Sequence, residues 1–205
     1  MTQSTVHKAA QDDTRKLKRD AAIKHTITAI KARLADGVTE GGLKAAEAEL
    51  KALCARRDLF TWADFPLPPE NGPNERTFLI HEDPDGGYAL YVNAGRPGQQ
   101  TSPHDHGGSW AIVAAVTGEE THWTYREGPA GLEETGQVTV APGRAIALGP
   151  QGIHAIHAPG PEPLLHLHLY GLAFSCQGRR KVYDLAAGTH RAFKLEDVGF
   201  VEDAR

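Results

Sequence analysis

The sequence predicts a mainly β protein, an antiparallel sandwich or barrel with an N-terminal helical extension. Apolar residues recur at three- and four-residue spacing in the first third of the chain, which indicates helices. From Thr77 onward the apolar period changes to two, the spacing of a half-buried strand. Short strand candidates then follow one another, mostly separated by glycine and proline, with no helical pattern between them.

Two helices are predicted in the first third. The first ends at Gly37, and its apolar face is formed by Ile23, Ile27, Ile30 and Leu34. The second follows Thr39, a suitable N-cap residue, and its apolar face is formed by Leu43, Ala46, Leu50 and Leu53. We interpret both helices as a layer that packs on the main body of the protein.

The boundary of the main body is marked by prolines. The stretch "FPLPPENGPN" (residues 65–74) breaks any helix. We therefore divide the chain into a helical extension (1–64), a linker (65–76) and a barrel domain (77–205). In the barrel domain, the strand candidates "TFLIHE" and "YALYVNA" flank the turn signal "DPDGG". Further strands are predicted at Ser109–Thr117, Glu119–Arg126, Gln137–Ala141, Ala145–Leu148, Leu164–Tyr170 and Lys181–Leu185.

The composition narrows the possible functions. The 205 residues carry a net charge of −4, with no basic patch for nucleic acid and no polybasic membrane anchor. No apolar run approaches the roughly 20 residues of a membrane-spanning helix, and the N-terminus lacks the apolar core of a signal peptide. Cys54 and Cys176 lie too far apart to suggest a disulfide framework. We expect a cytoplasmic protein, a monomer or small homo-oligomer, that binds neither nucleic acid nor membrane.

The histidines point to a metal site. Seven of the 11 histidines fall between His104 and His168. His104 and His106 point the same way from an extended backbone, as two ligands of one metal would. Their surroundings have the form G-x5-H-x-H-x4-A-x6-G. This form resembles the first characteristic motif of the cupins, small β-barrels that hold a metal inside, except that Ala111 stands where cupins usually have a glutamate ligand.

A third ligand is expected after the turn at Pro150 and Gly152, where the second cupin motif supplies a histidine. His154 and His157 both follow this turn. On a strand their side chains point to opposite faces, so only one can be a ligand. We favour His154, because it directly follows the turn. Imidazole alone does not choose the metal, since zinc, iron, copper and nickel all accept it.

A second polar group lies on the stretch "PLLHLHLYG". His166, His168 and Tyr170 alternate with leucines and therefore share one face of a strand. This face is either half-exposed to water or lines the barrel beside the metal. In the second case Tyr170 could donate a hydrogen bond to a bound oxygen species, with His168 orienting the phenol.

Three motifs together, "PHDHGGSW", "GIHAIHA" and "LLHLHLYG", resemble the cysteine dioxygenase-type thiol dioxygenases, a cupin group with a three-histidine iron site. The resemblance covers about half of the chain, from Phe78 to Tyr170. It implies that His104, His106 and His154 bind iron(II). The family's Ser-x-His-x-Tyr relay matches His166, His168 and Tyr170, so that a histidine replaces the serine.

Two further departures concern the substrate and the tyrosine. Mammalian-type enzymes link a cysteine to the tyrosine, but the matching residue here is Ala111, so no thioether can form. The arginine that holds the carboxylate of cysteine corresponds to Phe78. Arg76, two residues earlier on the same face, is our candidate substitute, although a shift of one residue would turn it away. Arg96, Arg126 and Trp110 are the remaining candidates for substrate contacts.

The sequence thus predicts an iron(II) thiol dioxygenase that converts a small thiol and O2 into a sulfinate. A mercapto acid or another small thiol is expected in preference to cysteine. Two alternatives stay open at this point. One is a cupin enzyme that acts on a carbon centre through the same ligands, and the other is a non-catalytic cupin that binds a metal and a small molecule.

Overall fold

The computed structural model describes residues 3–129, 131–194 and 200–205. It begins with two helices, α1 (Gln3–Arg33) and α2 (Glu40–Cys54). The N-terminus of α2 is capped as predicted, because the Gly42 amide donates to the hydroxyl of Thr39 at 3.1 Å. In the described part of the chain, neither helix combines the length and the apolar character needed to cross a bilayer.

Eleven described strands follow the helices. They are β1 (Glu75–His81), β2 (Gly87–Gly95), β3 (Ala111–Thr117), β4 (Glu120–Gly128), β5 (Gly131–Val140), β6 (Ala145–Leu148), β7 (Ile153–His157), β8 (Leu164–Leu172), β9 (Lys181–Asp184), β10 (Thr189–Ala192) and β11 (Phe200–Asp203). A short 3₁₀ turn, Phe174–Cys176, lies between β8 and β9. The predicted list lacked β7, β10 and β11, which are only four or five residues long.

The strands form a cupin-like, jelly-roll-like β-sandwich. A six-stranded sheet has the order β11-β1-β2-β8-β3-β6, and a three-stranded sheet has the order β5-β4-β7. Strands β9 and β10 form a separate hairpin. The described strand pairs are antiparallel except for β1 and β11, which are parallel. The predicted fold class, a mainly β cupin fold with N-terminal helices, is therefore confirmed.

The six-stranded sheet has two different faces. Its outer face joins the helices in one apolar core, in which Phe78 of β1 and Leu167 of β8 lie with Leu50 of α2. Its inner face forms a second core with residues such as Tyr91 and Val113. Because side chains alternate along a strand, the polar residues His166, His168 and Tyr170 face inward with this second core. The interior of the sandwich therefore carries both apolar and polar side chains.

Candidate metal centre

Three buried histidines meet inside the sandwich. One ring nitrogen each of His104, His106 and His154 lies within 4.8 Å of the others. Backbone hydrogen bonds hold two of them in place: His104 N donates to His154 O at 2.9 Å, and His154 N donates to His104 O at 3.0 Å. The loop before β3 supplies His104 and His106, and the strand β7 brings His154, which is far from them in sequence, to the same place.

The chemical state of these histidines suits metal binding. Burial lowers the pKa of all three imidazoles, so each stays neutral and keeps a nitrogen lone pair. His104 Nδ1 lies 2.9 Å from the carbonyl of Ser102 and must donate its proton there, which leaves Nε2 free for a metal. Among the described residues, neither ring nitrogen of buried His106 has a hydrogen-bond partner. A metal at this point would satisfy that histidine, so the donor set fits a divalent ion.

His157 lies outside this cluster. It occupies the opposite face of β7, where its ring stacks on that of Trp123 with the centroids 5.9 Å apart. The alternation of side chains along β7 separates the two histidines, as the sequence predicts. The structure therefore brings His154, and not His157, to His104 and His106.

Tyr170 and His168 lie next to the three histidines. The rings of Tyr170 and His106 have centroids 5.4 Å apart, and the Tyr170 hydroxyl is 3.3 Å from His168 Nδ1. Burial raises the pKa of Tyr170 above its ordinary value, so the phenol keeps its proton and can donate it in a hydrogen bond. Ala111 is directly opposite Tyr170 in the pairing of β3 with β8.

His166 has a different neighbour, Glu120, which the sequence reasoning missed. His166 Nδ1 lies 3.1 Å from Glu120 Oε1, at ion-pair distance but without an aligned hydrogen bond. Burial alone would raise the pKa of Glu120, but His166 and His122 together lower it well below its usual range. Burial lowers the pKa of His166, and Glu120 outweighs this effect and raises it. The pair is therefore a buried carboxylate balanced by an adjacent imidazolium. The only sign of this role in the sequence was that Glu120 is an acidic residue at the start of a strand, on the face that points into the sandwich.

A cavity of about 310 Å³ opens onto the cluster. Its lining residues include His104, His154, His168, Tyr170 and Arg180. Arg180 is almost fully buried, and its guanidinium lies 4.0 Å from the centroid of the Phe193 ring. The lining of the cavity also contains Glu75, whose pKa is raised to about 7 by burial. Neither Arg180 nor Glu75 was singled out from the sequence.

The structure corrects the expected position of two residues on β1 that were candidates for contacting the substrate. Arg76 and Phe78 lie on the outer face of this strand, away from the cavity. Phe78 packs against Phe65 with the ring centroids 5.4 Å apart, and Arg76 forms an ion pair with Glu202. The physical reason is the two-residue period of a strand, which places Glu75, Thr77 and Leu79 on the inner face.

The other three candidates for substrate contacts also lie elsewhere. Trp110 is buried in the core beneath the helices, with its ring 5.4 Å from that of Tyr88. The Arg96 guanidinium donates to the carbonyl of Pro68 at 2.6 Å. Arg126 is exposed and pairs with Glu133 at 2.8 Å. None of the three lines the cavity at the histidine cluster.

Comparisons with known proteins give only distant similarities. No protein-family model matches the sequence, and no curated protein matches it. The TT1209 protein from Thermus thermophilus has 22% identity and a TM-score of 0.41, covering 52% of this chain and 91% of its own. The cupin domain of Schizosaccharomyces pombe Cnp3 has 9% identity and a TM-score of 0.42, covering 52% and 66%.

An oxalate oxidase in complex with glycolate has 16% identity and a TM-score of 0.44, covering 59% of this chain and 61% of its own. These similarities are too low to support any statement about activity. The strand order and pairing described above define the fold. The chain has a cupin-like fold that encloses a buried histidine cluster able to hold a metal.

Proposed function

We propose that this protein is an iron(II) thiol dioxygenase that converts a small acidic thiol into its sulfinate. The observation that carries the proposal is one cavity lined by histidines able to hold a metal, a protonated tyrosine and a buried arginine. Bound iron(II) would supply positions for a thiolate and O2 and would exchange electrons between them. The three-histidine site, with no carboxylate, would leave the ion with its full positive charge, which favours anionic substrates.

The reaction balances without a further co-substrate. The thiol loses its S–H bond, and both atoms of O2 become bonded to sulfur. The sulfur is oxidised by four electrons, and O2 is reduced by the same four electrons. The product is a sulfinic acid, which ionises at neutral pH, so the residues around it must tolerate negative charge.

Tyr170 and His168 act in this proposal as hydrogen-bonding groups. The Tyr170 phenol stays protonated because it is buried, and its hydroxyl faces the cavity beside His106. If His168 Nδ1–H donates to the phenol oxygen, the phenol proton is free to point into the cavity. A hydrogen bond held in this orientation stabilises negative charge that develops on oxygen during the reaction.

Arg180 replaces Arg76 as the proposed anchor for a substrate carboxylate. The inner face of β1 offers Glu75, Thr77 and Leu79, none of which can bind an anion by charge. Arg180 also lines the cavity and lies immediately before β9. A guanidinium can donate two hydrogen bonds to one carboxylate. We therefore expect a mercapto acid to be a better substrate than a thiol without an acid group.

The test is an oxygen-electrode screen of protein reconstituted with Fe(II) under anaerobic conditions. The thiols are 3-mercaptopropionate, mercaptosuccinate, L-cysteine and cysteamine. We expect one O2 consumed per thiol and a product that has gained two oxygen atoms by mass spectrometry. Oxygen uptake without a sulfinate would instead indicate autoxidation of the thiol to a disulfide or chemistry at carbon, which the product mass distinguishes. Saturable binding without turnover would indicate a binding protein, and either outcome would contradict the proposal.

A further inference from the structure

A buried row of three side chains leads away from His154. His154 Nδ1 lies 2.8 Å from His122 Nδ1, and His122 Nε2 lies 2.8 Å from Glu120 Oε1. All three residues are almost inaccessible to solvent. Glu120 and His122 are two residues apart on β4 and face the interior together. Neither Glu120 nor His122 lines the cavity, and neither has a role in the proposed reaction.

The contact between the two imidazoles is a hydrogen bond in the ring planes. The ring planes are inclined by 21° and the centroids are 5.0 Å apart. The Nδ1–Nδ1 distance of 2.8 Å is shorter than the roughly 3.5 Å at which stacked rings touch. The rings therefore meet edge to edge, where one nitrogen carries a proton and the other offers a lone pair.

The position of the protons decides whether His154 can bind a metal. If His154 Nδ1 donates to His122 Nδ1, the lone pair of His154 is on Nε2 and is available to a metal. If His122 Nδ1 donates instead, His154 is protonated on Nε2 and cannot be a ligand through that nitrogen. The two arrangements are mutually exclusive, because a single proton lies between the two Nδ1 atoms 2.8 Å apart.

Glu120 selects the first arrangement. Its Oε1 faces His122 on one side and His166 Nδ1, at 3.1 Å, on the other. A carboxylate beside two imidazoles is ionised and can only accept hydrogen bonds. His122 must then donate from Nε2 to Glu120. When the His122 ring carries only this proton, its Nδ1 is left as the acceptor for His154.

We propose that Glu120 and His122 are positioning residues that hold His154 in the Nδ1–H form, with its Nε2 lone pair directed to the metal. The proposal rests on the metal site of the proposed function, but not on the thiol reaction. In this arrangement the carboxylate of Glu120 reaches His154 through the intervening imidazole of His122.

The first test needs no variant. Long-range ¹H–¹⁵N NMR distinguishes the two neutral forms of each histidine ring. In metal-free protein we expect Nδ1–H for His154 and Nε2–H for His122, and in Zn(II)-loaded protein we expect the His154 Nε2 signal to shift on coordination. An Nε2–H form of His154 in the metal-free protein would overturn the proposal.

The second test compares two substitutions of His122. His122→Phe keeps a ring but removes the acceptor, whereas His122→Asn places an amide oxygen near the position of Nδ1. We expect the Phe variant to weaken Zn(II) affinity about 10- to 100-fold, measured by chelator competition. We expect the Asn variant to recover most of this loss. His157→Ala, on the other face of β7, is the matched control.

Equal Zn(II) affinities in the wild type and in folded His122→Phe would contradict the proposal, as would an Asn variant no better than the Phe variant. Thermal melts identify a variant that fails to fold, and the wild-type NMR result then decides. Neither the NMR measurement nor the Zn(II) competition uses a thiol substrate. A protein that holds His154 in the Nδ1–H form but oxidises no thiol would refute the proposed function alone.

Discussion

At the scale of single residues, burial determines what each histidine can do. His104, His106 and His154 are neutral because burial disfavours the charged imidazolium. His166 is of the same residue type and is equally buried, yet its pKa is raised because it faces Glu120. Metal binding needs a neutral imidazole, so the first environment suits a metal ligand and the second favours a buried cation.

The first prediction separates His154 from its neighbour His157. His154→Ala removes a ring nitrogen from the three-histidine cluster, so this variant should lose most of its bound iron and its turnover. His157→Ala should keep both, because His157 contacts Trp123 on the other face of β7. Metal analysis of the purified variants measures the difference. Iron lost from the His157 variant and retained by the His154 variant would reverse the assignment.

The second prediction concerns Arg180. A charge-assisted hydrogen bond contributes about 1.5–3 kcal/mol, which corresponds to roughly a ten- to hundredfold change in kcat/KM. Arg180→Ala should therefore reduce kcat/KM for 3-mercaptopropionate by at least about tenfold and change cysteamine turnover much less. Arg180→Lys, which keeps the charge, should recover part of the loss. Arg76→Ala is the control, since Arg76 pairs with Glu202 outside the cavity. Equal losses of kcat/KM with both thiols would show that Arg180 does not bind the substrate carboxylate.

The third prediction is a pH effect on stability at Glu75. Burial raises the pKa of this carboxyl from 4.5 to about 7, so the folded state favours its protonated form. Its contribution to stability is complete below pH 4.5 and is lost as the pH rises to about 7. Glu75→Gln should remove this loss. The difference in unfolding free energy between variant and wild type, measured by urea titration, should grow in favour of Gln over that interval. A difference in unfolding free energy that does not change with pH would contradict the raised pKa of Glu75.

At the scale of elements, strand pairing determines which side chains meet. The pairing of β3 with β8 puts Ala111 opposite Tyr170 and Ala115 opposite His166. The pairing of β2 with β8 places Tyr91 beside His168 in the same way. The two alanines on β3 leave Tyr170 and His166 room inside the sandwich.

The fourth prediction follows from Ala111. A thioether at Tyr170 needs a cysteine next to the ring, and the opposite residue on β3 is alanine. Cys54 and Cys176 are both free, and Cys54 is buried in the core beneath the helices. The intact mass should therefore equal the sequence mass, without the loss of two hydrogens. A tryptic peptide joined through Tyr170 would show that the tyrosine is cross-linked after all.

The spacing of motifs predicted more of the site than the alignment of single strands did. His104, His106, His154 and Tyr170 could be grouped from the sequence because their motifs resemble those of a known family, while two-residue alternation indicates which neighbours share a face. Arg76 and Phe78 could not, since an error of one residue on β1 exchanges inner and outer faces. Glu120 and Arg180 could not either, because their proximity to the histidines depends on how separate strands pair and on a loop before β9.

At the scale of the whole molecule, the helices and the six-stranded sheet share one core. Leu50 of α2 and Ile30 of α1 are fully buried in this core, together with apolar residues from the outer face of the sheet. The helical layer is thus part of the folded unit. Its removal would expose the outer face of the sheet to water.

The fifth prediction tests this shared core. Leu50→Ala should lower the free energy of unfolding by about 2–5 kcal/mol, the usual effect of removing a buried leucine side chain. Leu17→Ala is the control, since Leu17 is 71% exposed on α1, and should change stability by less than about 0.5 kcal/mol. Circular dichroism and the fluorescence of the three tryptophans should report the same midpoint. Two separate transitions would show that the helices and the sheet unfold independently.

The parallel pairing of β11 with β1 has a consequence for how copies of the chain associate. Strand β11 forms one edge of the six-stranded sheet, and the Ala204 amide donates to the carbonyl of Leu79 at 2.8 Å. Without residues 200–205, the backbone amides and carbonyls of β1 that now pair with β11 would be open to a strand from another molecule. Strand β11 therefore replaces an edge strand of seven residues by one of four, and short edge strands are one way in which proteins limit edge-to-edge aggregation.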